Sequence, residues 1–360
     1  MDTDLLRLFE DSLARFNRER YSPAQLVARS RETTGTGLLS EMADMGWFEL
    51  LRGEADDEPA ASSVVRLLPV FRAAGEGAWR EPLACVLGAP AVIAARTDAT
   101  AQRESLVEGL ISASAPLAYA AREADDGWHR IGITTVARGD AGGHVLDGHK
   151  IAVMDVASCA AIIVLAVDAQ TRRPGYFLVA RDAAGLERGD ASSIDGHGLS
   201  DLKLTGVRAE YLCAGDHAAR AEAWDAILGA AEAVGIMRGA NRDTSAYLRE
   251  RRQFGRPLLD FQVLQHRLVE MHLLERETDA LLESTAEAFD ANAPGLERRL
   301  LVLRAQASRA LRQVTREAVQ MHGGMGVTQE TRVSHYYRRA LMLDGLHGSE
   351  EAALERLAAA

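Results

Sequence analysis

Arg251-Arg252-Gln253-Phe254-Gly255-Arg256-Pro257 is the stretch from which the chain is best read. Upstream of it, Ala226–Arg251 places Ile227, Leu228, Ala231, Val234 and Met237 on one helical stripe. Gly229, Ala230, Ala233, Gly235, Gly239 and Ala240 line much of the rest, so neighbouring backbones can come close. Gly255 and Pro257 stop that helix, because proline cannot continue it. Asp260 reads as the N-cap of a second long helix through Gln262–Phe289, and Asn292-Ala293-Pro294-Gly295 ends it. A third helix, Leu296–Met321, runs into His322-Gly323-Gly324-Met325-Gly326, and a shorter one is expected after Gly348.

Working outward, the chain changes texture twice. Up to about residue 115 apolar residues recur at three and four, as in Leu5-Leu6-Phe9 and Leu13-Phe16. Leu83–Ala95 is nearly all small and apolar, with Pro90 in a first turn or at a break between two short helices. The next block carries short β-branched runs, at Ile131–Val136, His144–Leu146, Ile151–Met154, Ala161–Val167 and Tyr176–Val179. Turn residues separate them, and Asp147-Gly148 is expected to be a hairpin turn. The expectation is an α+β chain of three parts. Residues 1–115 form a helical domain, 116–215 a small antiparallel sheet or β-barrel, and 216–360 a helical bundle. A β block between helical blocks, without βαβ alternation, argues against a Rossmann enzyme.

The 360 residues are 47% hydrophobic and carry a net charge of −11, a globular composition that argues against a duplex nucleic-acid binder. Local arginine clusters can still oppose that field and hold an anionic ligand. Cys85, Cys159 and Cys213 lie far apart with no CxxC pair, which fits a reduced, cytoplasmic setting. The acidic, amphipathic start reads as a surface helix rather than a signal peptide, and no apolar run is long enough for a membrane span.

Three segments carry chemistry. An arginine at a helix end beside a Gly-Pro turn can meet a pyrophosphate with a bidentate fork. Gly323-Gly324 lets backbone N–H groups approach an anion or a ring, because no Cβ intervenes. The third segment is Tyr337-Arg338-Arg339-Ala340 followed by His347-Gly348-Ser349. Taken singly, the first two also read as an ordinary solvated helix end and an ordinary helix-ending turn.

In this order and spacing the segments resemble the acyl-CoA dehydrogenase family, whose pattern is RxxFG with a downstream Gln, then QxxGGxG, then an Arg-containing stretch and a Gly-Thr or Gly-Ser turn. Gly46-Trp47 and Asp147-Gly148-His149-Lys150 are similar to family motifs as well. The acyl-CoA dehydrogenase fold has an N-terminal helical domain, a middle β-barrel and a C-terminal four-helix bundle. The resemblance implies FAD. Arg251 and Phe254 would contact the adenosine pyrophosphate, with Gln253 adjoining and Gln262 close by. Gln320, Gly323 and Gly324 would reach the same flavin from a neighbouring subunit, and Gly348-Ser349 would lie on its adenine side. It further implies an acyl-CoA substrate, an electron-transfer flavoprotein as electron acceptor, and a homo- or hetero-oligomer, commonly a tetramer.

The family abstracts the α-proton with a Glu just before the Gly-Thr turn, where this chain has His347. A minority place the Glu near the start of the long helix, where this chain has Asp225. Asp225 equally reads as a helix N-cap or first-turn acid. Glu232 reads as buried packing, and the resemblance implies that Asp344 and Glu350 point elsewhere. The family's Thr-Glu-Pro turn becomes Arg122-Glu123-Ala124, and Ala152 and Met154 replace the Trp and Thr of its Trp-x-Thr segment. Such departures resemble a divergent bacterial branch acting on bulky thioesters, including steroid side chains, in which one subunit of a pair can lack the base.

Overall fold

The computed structural model describes residues 3–29, 37–53, 59–124, 132–140, 143–347 and 349–359. The chain forms two compact units, one of Met1–Glu32, Val64–Trp79 and Ala226–Ala360, the other of Thr33–Ser63 and Arg80–Asp225.

The first unit is helical. It holds α1 (Thr3–Arg20), α2 (Pro23–Arg29), α4 (Leu68–Gly77), most of α8 (Ala218–Glu250), α9 (Gln262–Asp290), α10 (Leu296–His322), α11 (Arg332–His347) and α12 (Glu350–Ala359). The small residues of α8 do what the sequence predicts. A Cβ on Gly235 would fall 2.0 Å from the Arg72 carbonyl oxygen of α4, and one on Gly75 would fall 2.0 Å from the Glu232 carbonyl oxygen. The two backbones are in contact, and no larger residue fits between them. Beside that contact Arg72 and Arg238 both pair with Asp279, while Glu275 accepts from Arg238 and from Asn241 at 3.2 and 3.1 Å. Each buried carboxylate therefore has a charged partner, as burial requires.

α9 begins one residue later than a cap at Asp260 would give. Asp260 ends a 3-10 turn, Leu258–Asp260, and Phe261 takes the extended N-cap conformation with no side-chain cap. α8 begins eight residues earlier than expected, at Ala218 rather than Ala226.

The second unit holds α3 (Leu39–Asp44), α5 (Ala84–Leu87), α6 (Ala89–Ala94), α7 (Thr100–Ile111) and a seven-stranded sheet. Pro90 sits in the first turn of α6, and Gly88 is the break between α5 and α6. The strands are β1 (Leu117–Ala120), β2 (Val136–Asp140), β3 (Gly143–Met154), β4 (Ala161–Asp168), β5 (Pro174–Ala180), β6 (Leu186–Ser192) and β7 (Gly198–Ala214). β2 pairs with β3, β3 with β7, β7 with β5, β5 with β4 and β4 with β2, so the pairings close on themselves. Leu146, Val164, Phe177 and Leu202 belong to one buried core cluster of these strands.

Asp147-Gly148 is not a turn. It lies within β3, at a register shift against β7. A Cβ on Gly148 would meet Thr135 Oγ1 at 2.5 Å, and Asp147 Oδ1 accepts from Gly206 N at 2.9 Å. The pair that read as a hairpin marks a bulge and a close backbone approach. The run expected from Ile131 becomes a strand only at Val136, and Ile131 lies outside the described residues.

Candidate active site

Beyond α8 the chain makes a minimal hairpin, β8 (Arg252–Gln253) with β9 (Arg256–Pro257). Its two central residues, Phe254 and Gly255, have φ of 53° and 81°. This is the left-handed pair that a tight hairpin demands. Glycine adopts it freely; Phe254 does so at a cost of about 1 kcal/mol. Phe254 is nevertheless 90% exposed, its ring edge-on to Phe261 at 6.1 Å, and the Arg256 guanidinium lies 4.0 Å from the centre of that Phe261 ring. Phe254 thus presents a strained, exposed ring flanked by arginines, and packing does not account for its exposure. Arg251, Gln253 and Gln262 are exposed beside it.

Gln320 is exposed in the last turn of α10, and the chain then bends through Gly323, φ 59°. Open space faces both Gly323 and Gly324 where a Cβ would stand. Tyr247, one turn before Arg251, stacks on His322 with ring centres 4.4 Å apart, and its hydroxyl donates to the His322 carbonyl at 3.4 Å. That stack brings the ends of α8 and α10 together. Arg251, Gln253, Phe254, Gln262, Gln320, Gly323 and Gly324 therefore lie at one end of one bundle. This corrects the expectation that Gln320, Gly323 and Gly324 meet the Arg251 flavin only from a neighbouring subunit: one chain brings both motifs together. Burial pushes the His322 imidazole below its usual range, and its Nδ1 donates to the Ala318 carbonyl at 2.8 Å. Sequence reading missed Tyr247 and His322 as the pillars of this end; an aromatic in the last turn of each helix was the available signal.

Ser349 is elsewhere. Its hydroxyl accepts from Ala352 N at 3.4 Å and caps α12, next to Glu350, whose N–H donates to Ser308 at 3.1 Å. Ser308 is twelve residues before Gln320, roughly 18 Å along α10. Within one chain Ser349 does not join the other seven residues. Asp344 is bonded to Ser308, and Glu350 pairs with Arg312 at 2.8 Å. The His347 side chain and Gly348 lie outside the described residues.

Glu232 is buried and gripped bidentately by Arg339, at 2.6 and 2.9 Å. The arginine of the third segment is thus spent on the packing carboxylate. Asp225 is different. Because α8 starts at Ala218, Asp225 stands two turns inside the helix and caps nothing of its own. Its Oδ1 instead accepts from Ala89 N, the first residue of α6, at 2.6 Å. Desolvation drives this half-buried carboxyl up to about 7, with the Ala89 N–H opposing and Glu222 adding to the rise.

In the β block, Lys150 is fully buried with Nζ 2.5 Å from Glu123 Oε1. Glu123 also accepts from the backbone N–H and hydroxyl of both Thr134 and Thr135. Burial alone would raise the Glu123 carboxyl, but Lys150 and the two threonines outweigh it and bring it to about 2. Just after Lys150, Ala152 has φ 53° and donates its N–H to Asp201 at 3.0 Å, at a second register shift between Lys150 and Val153.

A helical unit, a β unit with closed pairings and a glycine-rich bundle end define the acyl-CoA dehydrogenase fold. Residues 220–360 match the family model described as acyl-CoA dehydrogenase, C-terminal domain. The acyl-CoA dehydrogenase IpdE2 of Mycolicibacterium smegmatis is 35% identical over 134 residues, which span 37% of this chain and 41% of that protein. Among solved structures, the Tcur3481-Tcur3483 steroid ACAD superposes with a TM-score of 0.85 at 24% identity, covering 99% of this chain and 97% of that one. The ChsE4-ChsE5 complex from Mycobacterium tuberculosis gives 0.88 at 19% identity, covering 99% and 97%. Residues 220–360 thus match the acyl-CoA dehydrogenase C-terminal domain, and the whole chain is similar in fold to solved acyl-CoA dehydrogenases. Among the described residues no helix is long and apolar enough to cross a membrane, and no cluster of side chains suits a metal ion.

Proposed function

We propose that this chain is a subunit of an FAD-dependent acyl-CoA dehydrogenase that desaturates the α,β bond of an acyl-CoA thioester, with Asp225 as the base. The observation that carries the reading is Asp225 itself. It occupies the family's alternative base position, holds Oδ1 on the Ala89 N–H, and titrates near neutral pH. A base poised there is about half ionised at neutral pH and basic enough to take a proton.

The residues present fit the adenosine-pyrophosphate half of FAD. Arg251, Arg252 and Arg256 supply cations, Gln253, Gln262 and Gln320 supply amides, Phe254 supplies an exposed ring, and Gly323 and Gly324 leave open backbone. Bound FAD supplies a hydride acceptor. The chain's own part is to hold one cofactor at the bundle end and to remove the α-proton at the Asp225 carboxylate. Asp225 stands 26 residues before Arg251, roughly 39 Å back along α8, so it acts beside a flavin held by a neighbouring subunit's bundle end. Ser349, distant in one chain, is assigned to the flavin of a neighbouring subunit, which requires an oligomer, and a homo- or heterotetramer is the assembly proposed. The three-part division at 115 and 215, and the closed strand circuit as a β-barrel, belong to the same reading. So do a cytoplasmic setting, an electron-transfer flavoprotein as acceptor and a bulky or steroid-derived acyl group, the last by analogy with the steroid ACAD.

A second reading, a partner subunit that completes a neighbour's flavin site without turning over, is favoured by Ala152 and Met154 standing where the family has Trp and Thr. The test is anaerobic reduction of the yellow assembly by acyl-CoA thioesters, short and steroid-derived. Wild type bleaches and Asp225→Asn bleaches about 100- to 10,000-fold more slowly. Bleaching of Asp225→Asn at the wild-type rate removes Asp225 as base. Bleaching by this chain purified without any other subunit removes the second reading; bleaching that appears only with a paralogous subunit and is unaffected by Asp225→Asn supports it.

A further inference from the structure

Trp224 and Asp225 are consecutive on α8, and both side chains close on the corner between α5 and α6. Trp224 is fully buried, and its Nε1 donates to the Leu87 carbonyl at 2.7 Å. Asp225 Oδ1 accepts from Ala89 N at 2.6 Å. Leu87 ends α5 and Ala89 begins α6, so each bonded group is one that a helix end leaves without an intrahelical partner. Gly88 stands between them with φ −83° and ψ −151°, a conformation open to any residue. Space is what demands glycine. A Cβ there would lie 2.7 Å from Asp225 Oδ1 and 2.4 Å from the Ala84 carbonyl oxygen.

We propose that Trp224 is a positioning residue for Asp225: by holding the Leu87 carbonyl it fixes the corner whose Ala89 N–H seats the Asp225 carboxylate. The inference rests on the reading of Asp225 as the base, but its geometry does not. Without the indole donor, Leu87 to Ala89 is a short link between two short helices, held from α8 at the Ala89 N–H by the Asp225 carboxylate alone among the described residues. The ionisable groups facing Asp225 are Glu222 on α8 and Cys85 on α5; α6 contributes none. The seat is thus one backbone donor set against burial and one like charge. Losing the donor disfavours the ionised form.

The test is carbon-13 titration of Asp225 in the full chain labelled at aspartate carboxyls, the resonance being assigned by its absence in Asp225→Asn. Wild type is expected to titrate at about 7. Trp224→Phe keeps an aromatic ring and loses the donor together with part of the indole volume, and the midpoint is expected to move upward by about one pH unit, the worth of one hydrogen bond to a carboxylate. Gly88→Ala leaves the indole in place, displaces the carboxylate from Ala89, and moves the midpoint in the same direction. A folded Trp224→Phe with an unchanged midpoint overturns the proposal, even if its melting temperature falls, because that is what a purely structural tryptophan does. If Trp224→Phe does not fold, an unchanged midpoint in Gly88→Ala overturns it equally. Failure of the base reading is seen separately, as acyl-CoA bleaching that survives Asp225→Asn while these midpoints stand.

Discussion

Two carboxylates carry opposite consequences for pH. Glu123 is ionised in the folded chain down to about pH 2, well below its unfolded value, so its stabilisation is full above that unfolded value. The stabilisation is lost as pH falls through about 4 toward 2, and it amounts to about 3 kcal/mol. Lys150→Met leaves the Glu123 charge buried with only its threonine donors. It is expected to destabilise the β-containing unit by about 3 kcal/mol, read as a lowered denaturant midpoint at pH 7. Asp225 has the opposite sign. Its folded carboxyl is raised, so the protonated form is favoured, and its contribution is present at low pH and lost as pH rises through about 7. Asp225→Asn keeps an acceptor for Ala89 while removing the charge. It should therefore raise the melting temperature above pH 7 and leave it nearly unchanged near pH 4; an equal effect at both values contradicts the raised carboxyl. The lone aspartate on a helix was visible in the sequence. Its partner was not, because Ala89 lies 136 residues away and donates only a backbone N–H.

Elements were legible where one periodicity ran undisturbed. α9 and α10 fall within a residue of their expected ends, and the Gly88 break with Pro90 in the first turn of α6 follows from proline's missing N–H. The start of α8 was misread although the signal is local. Ala218-Ala219-Arg220-Ala221-Glu222-Ala223 is a run of strong helix formers, and it places Trp224 and Asp225 inside the helix. β6 escaped because Leu186–Ser192 is an outer strand of charged and small residues that pairs with β7. Close helix contact gives the sharpest element-scale prediction. Gly235→Ala sets a methyl 2.0 Å from the Arg72 carbonyl oxygen, so α4 must move off α8. The expected cost is about 3 kcal/mol or more, measured by urea unfolding, whereas Gly255→Ala at the exposed hairpin should cost about 1 kcal/mol. Equal costs would mean that the two helices do not touch as described.

At the scale of the molecule, the order of helical, β and helical blocks was written in the sequence, and so was the resemblance carried by the glycine and arginine motifs. The grouping of residues into units was not. Met1–Glu32 and Val64–Trp79 join the C-terminal helices through contacts such as Arg72 with Asp279, and Trp79 stacks on Tyr21 at 5.4 Å. Such pairings between distant positions leave no local trace. The separation of Ser349 from Gln320 and Gly324 likewise carries meaning only in an assembly, since one chain alone leaves them apart. The central claim is that the end of the bundle around Arg251, Phe254 and Gly323 holds FAD. Its most direct test is the FAD content per chain of the assembly as purified, wild type against Arg251→Ala. The account predicts bound FAD, one per chain in a homomer or one per two chains in a heteromer, and its loss from folded Arg251→Ala. A folded wild-type assembly that contains no FAD and takes none up, or an Arg251→Ala assembly that keeps its full complement, would contradict it.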